Sequence, residues 1–290
     1  FDDYSNRAPA LAENEAMIGR HMMYDWDFKV PGLGIPDALG RDFVNKEYER
    51  MTDAQKRDWD AAYKPKNAAF LESKLEGDDL VRWKYQRYIK DYLRCVASVD
   101  DNIGRILDYL DEFGLAENTI VIYSSDQGFY LGEHGMYDKR WMYEESISMP
   151  LLMRWPGRID PGTRVEQLTQ NIDFAPTFLE VGGIESPTEI QGRSLVPLLS
   201  GKRVEDWREA IYYHYYEKGQ HNVARHEGVR SDRYKLIHYY GTGDWELFDL
   251  ENDPNEMKSV YDDLEYGDVR SLMKGRLSTL REDYKVPELD

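Results

Sequence analysis

One feature limits the folds open to this chain more than any other. A long helix-forming segment leads directly into a short β-branched one. Over residues 79–113, Ile89, Leu93, Val96, Val99, Ile103, Ile106, Leu107 and Leu110 recur at the spacing that puts side chains on one helix face. Gly114 supplies the stop. Residues 119–125 (T-I-V-I-Y-S-S) then read as a buried strand. A long helix followed by such a strand is the building unit of an α/β sheet. A second strand is expected over residues 150–155, ended by Pro156 and Gly157. Residues 173–181 read as a helix stopped by Gly182 and Gly183.

The flanks have a different texture. Residues 8–24 read as helical, and residues 30–40, rich in Gly and Pro, as a loop. Thr52-x-x-Gln55 has the form of a capping box and is expected to open a helix that stops near Pro65. Beyond Gly201, short runs rich in Tyr, Val and Ile alternate with turn signals over residues 210–216, 223–230, 234–240 and 245–250. That pattern predicts an antiparallel sheet, followed by a closing amphipathic helix over residues 264–284. The expected division is therefore an α/β part, residues 1–203, and a small sheet-and-helix subdomain, residues 204–290.

Composition narrows the function classes. With Lys+Arg at 37 and Asp+Glu at 55, the formal charge is 37 − 55 = −18, which argues against a general nucleic-acid binder, since that needs a basic face. Cys95 is the single cysteine, so neither an intrachain disulfide nor a cysteine zinc site is open to the chain. It reads as a small buried hydrophobe. No stretch approaches the ~18 apolar residues of a membrane span. The chain opens on Phe1 with neither an initiator Met nor a signal peptide, and reads as a piece of something longer. Its 22 tyrosines suit half-wet surfaces and sugar-facing walls, as well as ordinary core and strand positions.

The stretch that carries chemistry runs from Ser124 to Arg140. Asp126 stands where the expected strand ends, the edge at which α/β folds bind ligands. Its carboxylate and the amide oxygen of Gln127 are hard donors suited to Ca²⁺ or Mg²⁺. Gly128 lets the backbone turn away tightly. Downstream, Lys139 could hold an anionic oxygen, and Asp138 and Arg140 beside it could bond hydroxyls. Taken alone, these residues read equally as a turn and a solvated charge run, and by themselves they favour that plainer reading.

Their order alters the balance. A long helix, a strand ending in S-D-Q-G, then L-G-E-H-G-x-x-x-K, then Y-E-x-S-I-x-x-P-L-x-x-R-W-P-G resembles the C-terminal half of the type I sulfatases of the alkaline-phosphatase superfamily. The segment from Trp83 to Asn102 is similar to the helix before that strand in bacterial glycan sulfatases of the N-acetylglucosamine-6-O-sulfatase-like kind. G-V-R-S-D-R-Y-K-L-I from Gly228, E-L-F-D-L from Glu246 and D-P-N-E from Asp253 are similar to the family's C-terminal subdomain. The resemblance implies an alkaline-phosphatase-like α/β sandwich, with Asp126 and Gln127 as Ca²⁺ ligands and Lys139 on the sulfate. It also implies that Asp138 and Arg140 contact the sugar, and that His226 reaches the pocket from the small subdomain. His226 reads as readily as a strand histidine bonded locally.

The same resemblance implies a formylglycine nucleophile, made from a Cys or Ser in C/S-x-P/A-S/x-R, which this chain lacks. Cys95-Val-Ala-Ser comes near it, but Val99 stands where the arginine belongs. The nucleophile and the remaining metal ligands are expected in an N-terminal half of the same protein, and this chain alone is not expected to turn over substrate. A sulfated saccharide is the expected substrate, and a periplasmic or secreted location the expected place. Two alternatives stay open: a phosphodiesterase or phosphomutase of the same superfamily, and a non-catalytic glycan-binding fragment.

Overall fold

The protein is described by a computed structural model covering residues 2–33, 41–217, 219 and 221–288. The expected loop over residues 30–40 lies outside the described residues from position 34 onward. In chain order the helices and strands are α1 (Pro9–Ala12), α2 (Arg41–Arg50), α3 (Asp53–Ser73), α4 (Gly77–Glu112), β1 (Val121–Ser124), β2 (Tyr130–Leu131), β3 (Tyr137–Asp138), α5 (Glu144–Ile147) and β4 (Leu151–Arg154). They continue with α6 (Phe174–Val181), β5 (Ala210–Tyr215), β6 (His226–Ser231), β7 (Tyr234–Tyr239), β8 (Asp244–Asp249) and α7 (Gly267–Asp283).

The chain forms two compact units. The first comprises Phe1–Asn14, Ile106–Tyr130 and Lys139–Asp290. Its sheet β5-β6-β7-β8 is an antiparallel meander in which each strand pairs with its sequence neighbour. Val229 faces Leu236, and Leu236 faces Leu247, so one apolar row crosses the sheet. Helix α7 lays Met273 and Leu277 on that row, and Ala210 completes the core. The four expected strand windows and the closing helix are all present.

The meander lies in one compact unit with residues 106–130 and 139–203. Buried polar ties join them. Lys235, fully buried on β7, lies 2.8 Å from Glu144 and 2.7 Å from Glu256. Arg208 grips the buried Asp173 with two nitrogens. Burial pushes the Glu144 carboxyl up, but Lys235 and Arg230 more than offset this and hold it down at about 2.

Strands β1 and β4 correct one expectation. Both read as fully buried strands, yet they pair antiparallel, Val121 with Arg154 through Ser124 with Leu151. One face of this ribbon is open, with Tyr123 41% and Leu152 64% exposed. No further strand pairs with the ribbon among the described residues.

The second unit comprises Glu15–Arg105 and Leu131–Asp138. Its core gathers Ile18, Met22, Phe28, Val30 and Phe70. The expected helix over residues 8–24 is reduced to α1, and turns follow it. The main chain there bonds across to another segment instead, Tyr137 N–H donating to the Ala16 carbonyl.

The capping box is present: Gln55 N–H donates to Thr52 Oγ1, and Thr52 N–H donates to Gln55 Oε1. Helix α3 does not stop at Pro65 but runs through it to Ser73. Contacts beyond the proline offset its missing N–H. Phe70 stacks on Trp83 at 3.7 Å, and Asn67 Nδ2 donates to the Lys29 carbonyl.

Helix α4 has the expected extent, but not the expected burial. Leu93, Val96, Val99 and Ile106 of its apolar stripe are exposed, and so is Cys95, which therefore is not the buried hydrophobe anticipated.

Candidate functional site

The site begins where the β1–β4 ladder ends, at the pairing of Ser124 with Leu151. The chain then leaves the ribbon with Asp126 exposed and Gln127 half-buried. Gly128 fixes the turn by close approach. Its N–H donates to the Ser146 carbonyl at 2.9 Å, and a Cβ there would stand 2.0 Å from the Glu145 carbonyl oxygen. Only glycine fits that gap. Asn171 Nδ2 holds the carbonyl of Asp126 at 2.7 Å. The Asn171 turn is anchored in its turn by Asp173, which accepts the N–H of Gln170 and of Arg193 as well as the Arg208 guanidinium.

The opposite wall is the segment at Lys139 and Arg140. Arg140 N–H donates to Ser146 Oγ at 2.9 Å, and the Tyr213 hydroxyl donates to the Arg140 carbonyl at 2.6 Å. Burial pushes the Tyr213 hydroxyl up to about 12, so it stays protonated as a donor. Asp138 and Arg140 hold φ at 73° and 93°, a region that side-chain-bearing residues rarely occupy. Such conformations persist only where surrounding contacts impose them, and they cluster at functional sites. Ser146 and Tyr213 are those contacts at Arg140. The Lys139 ammonium lies 5.8 Å from the centre of the Phe129 ring.

Asp126, Gln127, Lys139 and Arg140 line one cavity of about 440 Å³, together with Asn171 and Tyr213. Of the six residues singled out in the sequence, these four are brought together. Asp138 falls in the other compact unit, at the end of β3. His226 has no exposed surface: its ring stacks among Trp141, Tyr213 and Tyr215, and its Nδ1 lies 2.7 Å from the Ala224 carbonyl. That is the locally bonded strand histidine, behind the wall rather than at it. Burial pushes it down to about 4, so it is neutral near pH 7.

Asn171, Ser146 and Tyr213 were not foreseen. Asn171 stands in no motif, and Tyr213 was one tyrosine in a run of aromatic residues, with no local signal of its hydrogen bond.

The donor set can be tested against a metal. Among the described residues, no group of three or more His, Cys, Asp or Glu side chains could enclose an ion. Asp126 and Gln127 offer a carboxylate and a carboxamide oxygen on one cavity, the hard-oxygen chemistry that Ca²⁺ takes in shells of six to eight. They fit part of such a shell.

Comparison with known proteins points the same way. Residues 38–184 match the sulfatase family model, and residues 132–283 match the model of the C-terminal part of N-sulphoglucosamine sulphohydrolase. The chain is 44% identical over 297 aligned residues to the N-acetylglucosamine-6-O-sulfatase of Bacteroides thetaiotaomicron, covering 100% of this chain and 53% of that protein. The solved structure of BT4656 in complex with its substrate D-glucosamine-2-N,6-O-disulfate superposes with a TM-score of 0.93 at 43% identity, over 98% of this chain and 58% of that one. More distantly, a phosphonate monoester hydrolase of Agrobacterium radiobacter superposes with a TM-score of 0.59 at 28% identity, over 71% of this chain and 42% of that one. The chain spans about half the length of the curated relative it matches end to end.

Proposed function

The chain belongs to the sulfatase family and has its alkaline-phosphatase-like fold, and from that premise we propose that it forms part of a sulfuric ester hydrolase that removes sulfate from a sulfated sugar. The supporting observation is the meeting of Asp126, Gln127, Lys139 and Arg140 on one cavity, in a chain 44% identical along its length to an N-acetylglucosamine-6-O-sulfatase. In this reading the protein works outside the cytoplasm, in the degradation of glycosaminoglycan or mucin glycans. An N-terminal half of the same protein supplies the formylglycine nucleophile and the remaining metal ligands.

Cleaving a sulfate ester shifts negative charge onto the departing alkoxide and the sulfuryl oxygens. Lys139 sets an ammonium against those oxygens, and its charge needs no reorganisation as the bond breaks. Asp126 and Gln127 would hold Ca²⁺ with their side-chain oxygens, and the ion would supply Lewis-acid stabilisation of the same oxygens. Asn171 holds the Asp126 carbonyl and Ser125 Oγ donates to Asp126 Oδ1 at 3.3 Å, contacts that would steady the carboxylate as a metal ligand. Arg140, on the same cavity, bonds sugar hydroxyls. His226 acts at one remove, by filling the space behind Tyr213, which pins Arg140. The net charge of −18 repels an anionic glycan at long range, so these local cations carry recognition inside the ~8 Å screening length.

The experiment is sulfate release from N-acetylglucosamine-6-sulfate by the matured full-length protein. Activity is expected, with loss on Asp126→Ala. Undiminished activity in that variant would exclude Asp126 as a calcium ligand. The distant likeness to a phosphonate monoester hydrolase supports a second reading, phosphorus-ester hydrolysis, which a methylphosphonate monoester assayed beside the sulfate ester decides.

A further inference from the structure

The second unit carries a cavity of about 470 Å³ that the sulfate chemistry does not use. Its volume lies within the ~300–1,000 Å³ of small-molecule sites. One wall is aromatic. Trp59 and Tyr63, one turn apart on α3, pack with ring centres 4.5 Å apart, and Tyr48 of α2 joins them. All three are half-buried, so ring surface remains open to the cavity. Tyr63 is steadied from behind by the Arg87 guanidinium, 4.8 Å from its ring centre.

The other wall is polar and balanced. Asp25 and Asp60 face Lys29 and Lys64 around the cavity, two charges of each sign. Asp60 is committed, bonding Lys64 Nζ at 2.6 Å and the Tyr48 hydroxyl at 3.2 Å. Asp25 lines the same cavity at 8% exposure, and its Oδ1 accepts Trp26 N–H, which leaves a carboxylate with further acceptor capacity on the wall. The lip is rigid: Lys29 holds φ at 55°, its carbonyl accepts Asn67 Nδ2, and Asn67 Oδ1 accepts Arg87.

Together these features select a ligand class. A wall of aromatic rings, Trp59 and Tyr63 tilted by 43°, suits an apolar ring face, and carboxylates beside ammonium groups suit groups that both give and take hydrogen bonds. The charges on the described lining, two of each sign, do not favour an anion. A neutral pyranose, with its C–H face and its hydroxyl rim, has this complementarity. We propose that this cavity is a saccharide-binding site for an unsulfated sugar unit, separate in chemistry from the sulfate-directed residues. Only the choice of probe rests on the function proposed above, since binding at this cavity does not require that sulfate be released.

The experiment titrates the full-length protein with the unsulfated trisaccharide of N-acetylglucosamine, with cellotriose beside it, by saturation-transfer NMR and calorimetry. Saturable binding of at least one is expected. Trp59→Ala and Asp25→Asn should each weaken it tenfold or more, whereas Arg140→Ala, in the sulfate-directed cavity, should leave it within twofold. Thermal melting reports whether Trp59→Ala folds; if it does not, the near-isosteric Asp25→Asn decides. The proposal is overturned if the wild-type protein binds neither sugar, or if Asp25→Asn binds as wild type. Loss of binding in Arg140→Ala would move the sugar to the other cavity and overturn it equally. Failure of sulfate release, by contrast, would leave these binding curves unchanged.

Discussion

Replacing Gly128 by alanine should damage the strand tip by an amount that the geometry sets. The new Cβ would lie 2.0 Å from the Glu145 carbonyl oxygen, and ordinary contact begins at 3.4 Å, so the two backbones must part by 3.4 − 2.0 = 1.4 Å. The obstacle is main chain, which cannot swing aside as a side chain would. The same displacement takes the 2.9 Å bond from Gly128 N–H to the Ser146 carbonyl out of range. Overpacking costs about 1–3 kcal/mol, and the lost hydrogen bond about 1, giving about 2–4 kcal/mol in all. For a chain of 290 residues that is a fall in Tm of roughly 3–7 °C. Gly275, on α7 with nothing within 4 Å of an added Cβ, is the matched control, and its alanine variant should be slightly stabilised by helix propensity, about 0.5–1 kcal/mol. Calorimetry of the full-length protein reads both. A Gly128→Ala protein that melts within about 1 °C of wild type would refute the close-approach argument. If the variant also loses the calcium-dependent part of its Tm, the turn is linked to the proposed metal ligands beside it.

Other outcomes follow from the same geometry. His226 should make the protein acid-labile: its ordinary value is 6.5 and burial takes it to about 4, so between those pH values the unfolded chain binds a proton that the folded one excludes. Stability then falls as pH drops through that window, by at most about 3 kcal/mol, and urea titrations of His226→Phe should show a shallower slope there. Tyr213→Phe, which frees the Arg140 carbonyl, should raise KM for a sulfated sugar about three- to tenfold, on the scale of one hydrogen bond, with kcat nearly unchanged. An unaltered KM would separate Tyr213 from sugar binding. Lys139→Met should lower kcat/KM by about 10²–10³, the usual loss for one charge-stabilising donor, while circular dichroism reports an intact fold.

The sequence displayed some of this molecule plainly and concealed the rest for physical reasons. Short runs rich in Tyr, Val and Ile between turn signals placed all four strands of the meander, whose apolar row packs against α7. The Thr52 capping box was legible because it is a local exchange of hydrogen bonds. Pro65 misled, since its local effect is outweighed by Asn67 and Phe70, whose partners lie far along the chain. Residues 8–24 misled in the same way: their apolar residues pack without forming a helix. At the candidate site, Asp126, Gln127, Lys139 and Arg140 were readable as chemistry, whereas the groups that aim them were not. Asn171 stands 45 residues from the carbonyl it holds, and Tyr213 stands 73 residues from Arg140.

The uncovered stripe on α4 has a practical consequence. Leu93, Val96, Val99 and Ile106 present a ladder of hydrocarbon to water on a helix that carries no compensating cover among the described residues. Made by itself, such a polypeptide would be expected to adhere to its own copies or to a holdase, and the thiol of Cys95 beside that ladder would then offer a site for crosslinking them. Preparations of the isolated segment therefore call for detergent or reductant before any measurement on it is interpreted.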